Sequence, residues 1–254
     1  LEGQPVTLDS ALEHIAGKFK VFGRDAVGFY VSGQLTTEAQ YVFNKLAKGA
    51  LGTNHIDANS RLCMASAVSA YKLAFGSDGP PTCYDDIEHA ECLLVVGANI
   101  AECHPVLWQR IKKRFSRKRV RAIVVDPRRT PTAGDAHLHL AIKPGTDVAL
   151  LNGMLHVLIA QGWISDRFIR QHTENFEAVR DLVEGWTPAR AAKVCGIEEQ
   201  LIHRAAFWFG ASAESLSFYA MGANQSTQGV AKNSAIINLH LADRKSTRLN
   251  SSHR

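Results

Sequence analysis

The chain has 254 residues, of which 46% are hydrophobic and 21% are charged. This is an ordinary globular composition, with enough chain for one large or two modest hydrophobic cores, and no apolar run approaches the roughly 20 residues that a membrane-spanning helix needs. No charged and then apolar leader opens the chain, so these residues predict no export signal. Five cysteines without a CxxC pair argue against a disulfide framework and predict a reducing compartment.

The net charge of +5 depends on the last twelve residues, DRKSTRLNSSHR. They depart abruptly from the preceding pattern and resemble the conceptual translation of a sequencing-library adapter, so we expect residues 243–254 to be an artefact tail. The tail carries four basic residues against one acidic residue, and therefore three of the five positive charges. The alternative is a natural basic tail that binds nucleic acid or membrane. With the tail set aside, the charge predicts no nucleic-acid partner.

The chain opens with apolar residues at helical spacing within residues 1–23, which predict an amphipathic helix that Thr7 or Asp9 can cap. Residues 26–32 are a short β-rich run, and a glycine turn at Gly33 and Gln34 leads to residues 36–48, which have the pattern of a helix.

Residues 53–76, TNHIDANSRLCMASAVSAYKLAFG, join a polar loop to Cys63 and then at once to a helix that Gly76 ends. At such a helix start, the unpaired N–H groups, the helix dipole and the nearby Arg61 favour a thiolate. Cys63 is therefore a candidate nucleophile or soft metal ligand. The alternative is a buried cysteine that acts as a small hydrophobic residue.

A strand, a helix and a second strand follow at residues 92–96, 105–115 and 121–125. The apolar runs CLLVV and RAIVV are typical of buried parallel strands, and this order predicts a βαβ unit in an α/β protein with a largely parallel sheet. Residues 137–142 and 215–221 predict further strands. Helices are predicted for residues 147–161, 166–169, 176–183, 188–194, 198–210 and 230–241.

Two segments repeat one pattern: GFYVSGQLTTEAQ and SFYAMGANQSTQG both read as strand, glycine turn, polar residues and helix. We interpret them as neighbouring strands of one sheet, which makes residues 1–90 with 211–242 a first lobe and residues 91–210 an inserted second lobe. Ligands of open α/β sheets bind beyond the carboxyl ends of the strands. Gln34, Gly97, Asp126 and Gly222 all follow such ends and predict a crevice for one long cofactor.

Eight blocks occur in a fixed order: SGQ, ANSRLCMASAV, CYDDIEHAE, VGANIAECHP, VVDPRRT, KPGTD, NGMLHVL and MGANQSTQG. In this order they resemble the catalytic subunit of molybdenum bis(molybdopterin guanine dinucleotide) oxidoreductases, and among these the bacterial nitrate reductases of the assimilatory and periplasmic type. The resemblance extends from about residue 28 to about residue 242. It implies two doubly wound α/β lobes with largely parallel sheets, one inserted in the other.

The resemblance implies that Cys63 is the protein ligand of molybdenum, which pterin dithiolenes also hold, and a thiolate is a suitable soft donor. Met64 and Met221 are implied to approach the open side of the metal, although methionine is also common core filler. Asn59 matches a cofactor-binding asparagine, or it ends the loop by hydrogen-bonding its own backbone. The implied cofactor-binding residues are Gln34, Asn59, Cys63, Val96, Gly97, Ala98, Asn99, Ile100, Ala101, Glu102, Cys103, Asp126, Pro127, Arg128, Arg129, Thr130, Gly145, Thr146, Asp147, Met221, Gly222 and Gln225.

The turns in this set have structural alternatives. The VGANIAEC turn permits close backbone approach and suits a pyrophosphate, or it merely links strand to helix; it is not the GxGxxG of an NAD domain. Asp126 can take ribose hydroxyls, and the two arginines after it can contact phosphate or remain solvated charges. Asp147 can accept hydrogen bonds from guanine, or it or Thr146 can cap a helix.

The other cysteines show no zinc spacing, because Cys83, Cys92 and Cys103 are separated by nine and eleven residues. A zinc site with His104 is therefore not predicted, and Cys83, Cys92 and Cys195 are predicted to be structural.

The implied reaction is the reduction of nitrate to nitrite by oxygen-atom transfer, with electrons from ferredoxin, flavodoxin or a flavoprotein reductase. One alternative is a formate dehydrogenase of the same family, which carries cysteine or selenocysteine followed by histidine where this chain has Met64. The other alternative is a noncatalytic nucleotide-binding or assembly module.

The resemblance also implies that this chain is an internal fragment. A cysteine cluster for a 4Fe-4S centre is expected before residue 1, and a further cofactor-binding domain after residue 242. We therefore expect the chain alone to be poorly soluble and unable to turn over. A cytoplasmic location is expected from the likeness to assimilatory enzymes, with an export signal upstream as the alternative.

Overall fold

The computed structural model describes residue 1, residues 3–115 and residues 120–243, except for the side chains of residues 60–62. The chain divides into two compact units, Leu1–Cys63 and Met64–Arg254. Two sequence predictions lie outside the described part: the charge of Arg61 beside Cys63, and the artefact tail from residue 244 onward.

The first unit alternates short helices and strands. Its elements are α1 (Leu8–Val21), β1 (Phe29–Val31), α2 (Thr37–Asn44), β2 (Ile56–Ala58) and the start of α3 (Ser60–Phe75). Thr7 caps α1 by accepting the Ser10 N–H at 3.3 Å, one of the two predicted caps. The helix α2 continues as the π-helical segment Lys45–Ala50, so the predicted helix over residues 36–48 forms with a wider last turn.

Strands β1 and β2 pair in parallel, with Phe29 opposite Ile56 and Val31 opposite Ala58. The sequence does not predict β2, because it indicates a polar loop over residues 53–59. Its three residues are too few to show the alternation by which a strand is recognised.

The second unit is built on a four-stranded sheet in the order β5-β4-β3-β6. Its strands are β3 (Cys92–Val96), β4 (Arg121–Val125), β5 (Leu138–Leu140) and β6 (Ser215–Tyr219). All neighbouring pairs are parallel, which confirms the predicted βαβ unit and the α/β class. Every residue of β3 is buried, as expected for a central parallel strand with helices on both faces.

Helices cover both faces of this sheet. After α3 they are α4 (Ile100–Cys103), α5 (Pro105–Phe115), α6 (Pro131–Gly134), α7 (Asp147–Ala160), α8 (Asp166–His172), α9 (Phe176–Glu184), α10 (Pro188–Cys195), α11 (Glu199–Ala211), α12 (Met221–Asn224) and α13 (Gly229–Asp243). Leu94 belongs to the core that contains α7, whereas its neighbour Val95 belongs to the core that contains Trp108 of α5. This is the alternation of faces that a strand imposes. No helix in the described ranges has the length and apolar character needed to cross a bilayer.

One interpretation of the sequence is wrong: residues 26–32 and 215–221 do not form neighbouring strands. Strand β1 pairs with β2, and β6 lies beside β3. The reason is that β3 is completely buried and needs a strand on each side; β4 takes one side and β6 the other. The lobe boundaries inferred from that pairing, residues 1–90 with 211–242 around residues 91–210, stay a prediction, and the compact units of this chain divide at Cys63 instead.

Candidate cofactor site

The predicted site residues of the first unit lie where β1 and β2 end. We call Gly33, Gln34, Asn59 and Cys63 the first edge. The Gly33 N–H donates to the Asn59 side-chain oxygen at 2.8 Å, and the Asn59 carbonyl accepts the Cys63 N–H at 3.4 Å. Asn59 therefore joins the turn after β1 to the start of α3, instead of turning back on its own backbone.

Gln34 at the first edge is exposed, and its side-chain oxygen accepts a hydrogen bond from the Ser32 hydroxyl at 2.6 Å. The Gln34 N–H donates to the same hydroxyl at 3.2 Å. These two bonds fix the turn after β1, and neither of them uses the amide nitrogen of Gln34. The side chain is thus held by its oxygen and can present its nitrogen to a ligand.

Cys63 lies in the first turn of α3 and is half-buried, as the sequence predicts. The five cysteines all lie in the described part of the chain, and none forms a disulfide there. Burial raises the pKa of the thiols of Cys92 and Cys195, which makes them inert and confirms that they are structural. Cys83 and Cys103 are exposed. Cys83 still has a structural role, because it caps the short helical turn Tyr84–Glu88, and its N–H donates to the Asp86 carboxylate at 2.9 Å.

In the second unit, predicted residues follow the carboxyl ends of the parallel strands. We call Gly97, Asp126, Asp147 and Gly222 the second edge. The Gly222 N–H donates to the Gly97 carbonyl at 2.9 Å, and the Gly97 N–H donates to the Val125 carbonyl at 2.9 Å. A Cβ on Gly97, whose φ is +57°, would lie 2.8 Å from Gly222 Cα. Both turns therefore need glycine in order to meet each other.

The turn after β3 is tied to the start of α6. The Asn99 side-chain oxygen accepts from the Thr132 hydroxyl at 3.0 Å, and that hydroxyl accepts the Ala101 N–H at 3.0 Å. The Asn99 amide also donates to the Glu102 carboxylate. Thr132 is fully buried. The sequence does not predict it as a site residue, because a threonine beside Pro131 indicates only a helix start.

Within the VGANIAEC turn the predicted residues divide by exposure. Val96, Ala98 and Ile100 are buried in the core, so only their backbone atoms can meet a ligand. Glu102 and Cys103 are exposed, and Ala101 is half-buried.

Asp126 shapes the turn after β4. Its carboxylate accepts the Arg128 N–H at 2.8 Å, and its carbonyl oxygen lies 2.8 Å from His139 Nε2. Pro127, Arg128 and Arg129 are exposed beyond this turn. Thr130 is buried and caps α6 by accepting the Ala133 N–H at 3.2 Å, so its side chain already has a structural role.

Asp147 at the start of α7 forms an ion pair. Its Oδ2 lies 2.8 Å from Nζ of Lys232, and both side chains are almost fully buried. Neither predicted capping role is realised: the Thr146 hydroxyl donates to the Lys143 carbonyl at 2.6 Å, and no side chain caps α7. Gly145 before them is exposed, with a φ of +84°.

Lys232 was not predicted from the sequence. The signal that could have found it is its register in α13, because Ala235, Ile236 and Leu239 follow it at helical spacing and are buried. A lysine in such a stripe must find a partner inside the protein.

The methionines of the site are not core filler. Met64 is 47% exposed and Met221 is 51% exposed, whereas the third methionine, Met154, is fully buried. The Asn224 amide donates to Met64 Sδ at 3.4 Å, and Asn224 ends the short helix that Met221 begins. The second unit therefore holds Met64 beside the turn of Met221, and Gln225 after that turn is exposed.

The family model for molybdopterin oxidoreductase matches residues 2–252. The chain belongs to the molybdopterin oxidoreductase family.

Three relatives of known name extend over most of this chain. A nitrate reductase of Synechocystis sp. is 45% identical over 243 residues, which cover 94% of this chain and 34% of the relative. A periplasmic nitrate reductase of Desulfovibrio desulfuricans is 40% identical over 252 residues, covering 94% and 33%. An F420-dependent formate dehydrogenase subunit alpha of Methanocaldococcus jannaschii is 39% identical over 233 residues, covering 92% and 34%. The chain thus spans about a third of the length of these relatives.

The fold is also that of a solved structure. Acetylene hydratase from Pelobacter acetylenicus superposes with a TM-score of 0.73 at 22% sequence identity, over 96% of this chain and 34% of the hydratase. This similarity confirms the α/β fold with parallel sheets that the sequence predicts.

A molybdopterin oxidoreductase uses a molybdenum–molybdopterin cofactor, and the residues of this chain fit such a group. Cys63 supplies a partly accessible sulfur, the donor type that a soft metal prefers. Asp147 contacts Lys232 through Oδ2, so Oδ1 can accept from the N–H groups of a nucleotide base. Across the part of the chain that the structure describes, no three His, Cys, Asp or Glu side chains gather into a metal-binding group.

Proposed function

We propose that this chain belongs to the catalytic subunit of a nitrate reductase, which reduces nitrate to nitrite at molybdenum held by two molybdopterin guanine dinucleotides. When bound, the cofactor supplies two-electron oxygen-atom transfer. The names of the relatives favour nitrate over formate only in part, because a formate dehydrogenase is 39% identical and nitrate reductases are 40% and 45% identical.

The observation that carries the proposal is the placement of Met64. It follows Cys63 directly, is half exposed, and its sulfur accepts the Asn224 amide beside the turn of Met221. The resemblance gives formate dehydrogenases a histidine at this position, which could hold or move a proton. A thioether cannot exchange a proton, so Met64 cannot take the proton-transfer role that a histidine could have at this position.

In this proposal, different residues bind the metal, the guanine base and the phosphates of the cofactor. Cys63 holds the metal, and Asn59 fixes the start of its helix through the Gly33 N–H at 2.8 Å. Asp147 binds the guanine end of one dinucleotide, and the exposed Arg128 and Arg129 neutralise phosphates. These assignments rest on the resemblance and on the positions of the residues at the two edges.

The remaining partners belong to the same proposal. Electrons come from ferredoxin, flavodoxin or a flavoprotein reductase through a 4Fe-4S centre whose ligands lie outside this chain. We place the enzyme in the cytoplasm, although one relative is named periplasmic. Detection of the native protein in the periplasmic fraction of its host would overturn that placement.

The test uses the full-length catalytic subunit, purified with its cofactor, and two assays. Oxidation of a reduced viologen dye that depends on nitrate, together with about one molybdenum per chain, is the expected result. Reduction of the dye that depends on formate, without nitrate turnover, would identify the formate dehydrogenase. Protein free of molybdenum and inactive in both assays would identify the noncatalytic module.

Substituting Met64→His sharpens the test, because it places the residue of the formate type after Cys63. We expect nitrate turnover to fall at least tenfold while molybdenum content stays unchanged. Met154→Leu is the matched control, because this methionine is fully buried in the core away from the site and the change conserves volume.

A further inference from the structure

Lys232 is a buried lysine whose ammonium contacts two residues of the second edge. Only 4% of the residue is exposed. Its Nζ lies 2.8 Å from Asp147 Oδ2 and 3.3 Å from the Gly222 carbonyl oxygen. A buried ammonium is costly unless it is paired and hydrogen-bonded, and these two acceptors satisfy it.

The two acceptors belong to different elements. Asp147 begins α7, which follows β5, while Gly222 lies in the turn after β6 at the other side of the sheet. Gly222 is in turn bonded to the Gly97 carbonyl at 2.9 Å. Lys232 is thus the side chain that connects Asp147 to the pair of glycine turns.

This contact also sets the orientation of the Asp147 carboxylate. An aspartate at the first position of a helix is otherwise able to rotate toward the unpaired N–H groups of its own first turn. The ion pair holds Oδ2 toward α13, so that Oδ1 is directed elsewhere. A carboxylate has lone pairs for more partners than one ammonium.

We propose that Lys232 is a positioning residue for the guanine dinucleotide: it holds the Asp147 carboxylate in the orientation that accepts the base and ties it to the Gly222 turn. This inference rests on the proposed function, in which Asp147 binds guanine. Lys232 acts through Asp147 and does not itself contact the reacting atoms.

A merely structural ion pair would have a different signature. Breaking such a pair would lower the free energy of unfolding, and nucleotide retention would fall only in proportion to that loss. Breaking a positioning contact shortens retention beyond what the loss of stability explains. The chain offers a matched control in Lys112, whose Nζ lies 2.8 Å from Asp135 Oδ2 but whose side chain is 53% exposed. Lys112 lies in the last turn of α5, which leads back toward the amino ends of the strands, opposite the second edge.

The experiment measures how long the holoenzyme retains its guanine nucleotide in urea too dilute to unfold it, with GMP released by acid hydrolysis of the retained cofactor as the readout. The variants are Lys232→Met, Asp147→Asn, the double variant, Lys232→Arg and Lys112→Met, each with its unfolding midpoint. Loss of a hydrogen bond to a charged group predicts about a tenfold shorter retention time for Lys232→Met.

Because Lys232 acts through Asp147, the double variant should lose no more than the stronger single variant. Lys232→Arg should fall between wild type and Lys232→Met, since it keeps the charge but not the compact head that reaches Gly222. Lys112→Met should retain nucleotide as wild type does.

Any of three results would overturn the inference. Lys232→Met could retain its nucleotide as long as the wild type does, or Lys112→Met could lose it equally fast. In the double variant, the reductions in retention time of the two single variants could multiply. If Lys232→Met yields no folded holoenzyme, Lys232→Arg decides: faster release at an unchanged unfolding midpoint supports the positioning role, and wild-type release contradicts it. A wild-type enzyme that yields no GMP on complete denaturation would instead refute the dinucleotide in the proposed function.

Discussion

Both edges of this chain carry predicted cofactor-binding residues, but the sheets and contacts that hold these residues in place differ greatly. The first edge follows two paired strands of three residues each. Beyond the strands, the bond from the Gly33 N–H to the Asn59 side chain joins the turn after β1 to the end of β2. The second edge follows four parallel strands and is held by backbone contact between Gly97 and Gly222 and by the buried pair of Asp147 and Lys232.

The difference extends to the cores beneath them. In the first unit, α1 has no buried residue, and Leu8 and Val21 are 74% and 77% exposed. In the second unit, two continuous hydrophobic clusters cover both faces of the sheet. The second edge is therefore preorganised by the core of its own unit. The loop with the proposed metal ligand depends on a few hydrogen bonds.

The largest expected effect comes from the same substitution made in both sheets. Val95→Ala in β3 removes a fully buried side chain and should lower the free energy of unfolding by about 2–4 kcal/mol. Val31→Ala in β1 removes a half-buried side chain and should cost less than about 1 kcal/mol. Urea unfolding followed by circular dichroism measures both, and equal losses would remove the contrast between the two units.

The next effect concerns the contact between the glycine turns. A Cβ on Gly222 would lie 2.7 Å from Gly97 Cα, so Gly222→Ala forces the turns apart. We expect a loss of about 1–3 kcal/mol in the free energy of unfolding, the usual cost of overpacking. Gly134→Ala is the control, because its Cβ would meet nothing within 4 Å. A Gly222→Ala variant as stable as the control would show that the turns are not in contact.

A smaller effect is expected at the first edge. Asn59→Ala removes the acceptor of the Gly33 N–H, and a hydrogen bond of this kind contributes about 1 kcal/mol. Asn54→Ala is the matched control, because Asn54 is an exposed asparagine that precedes β2. Stability and molybdenum content are measured together, and the account predicts that molybdenum content falls in Asn59→Ala alone. Equal molybdenum in both variants would argue against a role of Asn59 in the site.

The smallest effect lies at the far end of the sheet and depends on pH. Burial, with the charge of Arg121 as a second cause, lowers the pKa of His137 from its ordinary value of 6.5. The unfolded chain therefore takes up the proton first as pH falls, so this contribution to stability is complete above about pH 6.5 and is lost below it.

His137→Asn keeps an acceptor for the Ala122 N–H, which the ring accepts at 3.1 Å, but cannot take up a proton. The variant should therefore flatten the fall in stability between about pH 7 and pH 5, measured as unfolding free energy in urea. A slope identical to that of the wild type would mean that another group causes the acid sensitivity. Neither edge should be affected, since His137 precedes β5 at the amino end of the sheet.

Much of the fold could be predicted because buried parallel strands have a strong signal. The strands at residues 92–96 and 121–125 and the helix between them agree residue for residue with the structure. Each of the two strands is a largely apolar run followed by a glycine or an aspartate. Strand β2 could not be predicted, because a strand of three residues has no period of its own.

Pairing and partners were harder to predict than elements. The order of strands in the sequence does not show which distant strand lies beside β3. The repeated pattern of residues 26–32 and 215–221 predicts that these two strands are neighbours, whereas β6 lies beside β3 and β1 beside β2. The partner of Asp147 was missed for a similar reason: Lys232 is 85 positions away in the chain, and a lone lysine in a helix normally points to solvent. The register of Lys232 in α13 indicates a buried position, but only the three-dimensional structure shows that Asp147 is its partner.

X-ray absorption at the molybdenum edge can determine whether the sulfur of Cys63 binds molybdenum in the complete enzyme, as we propose. The full-length protein is compared with Cys63→Ser and with Cys103→Ser, whose thiol is exposed. The account predicts that Cys63→Ser has one sulfur neighbour fewer around the metal, while Cys103→Ser is unchanged. A Cys63→Ser enzyme with the full wild-type sulfur shell would contradict it.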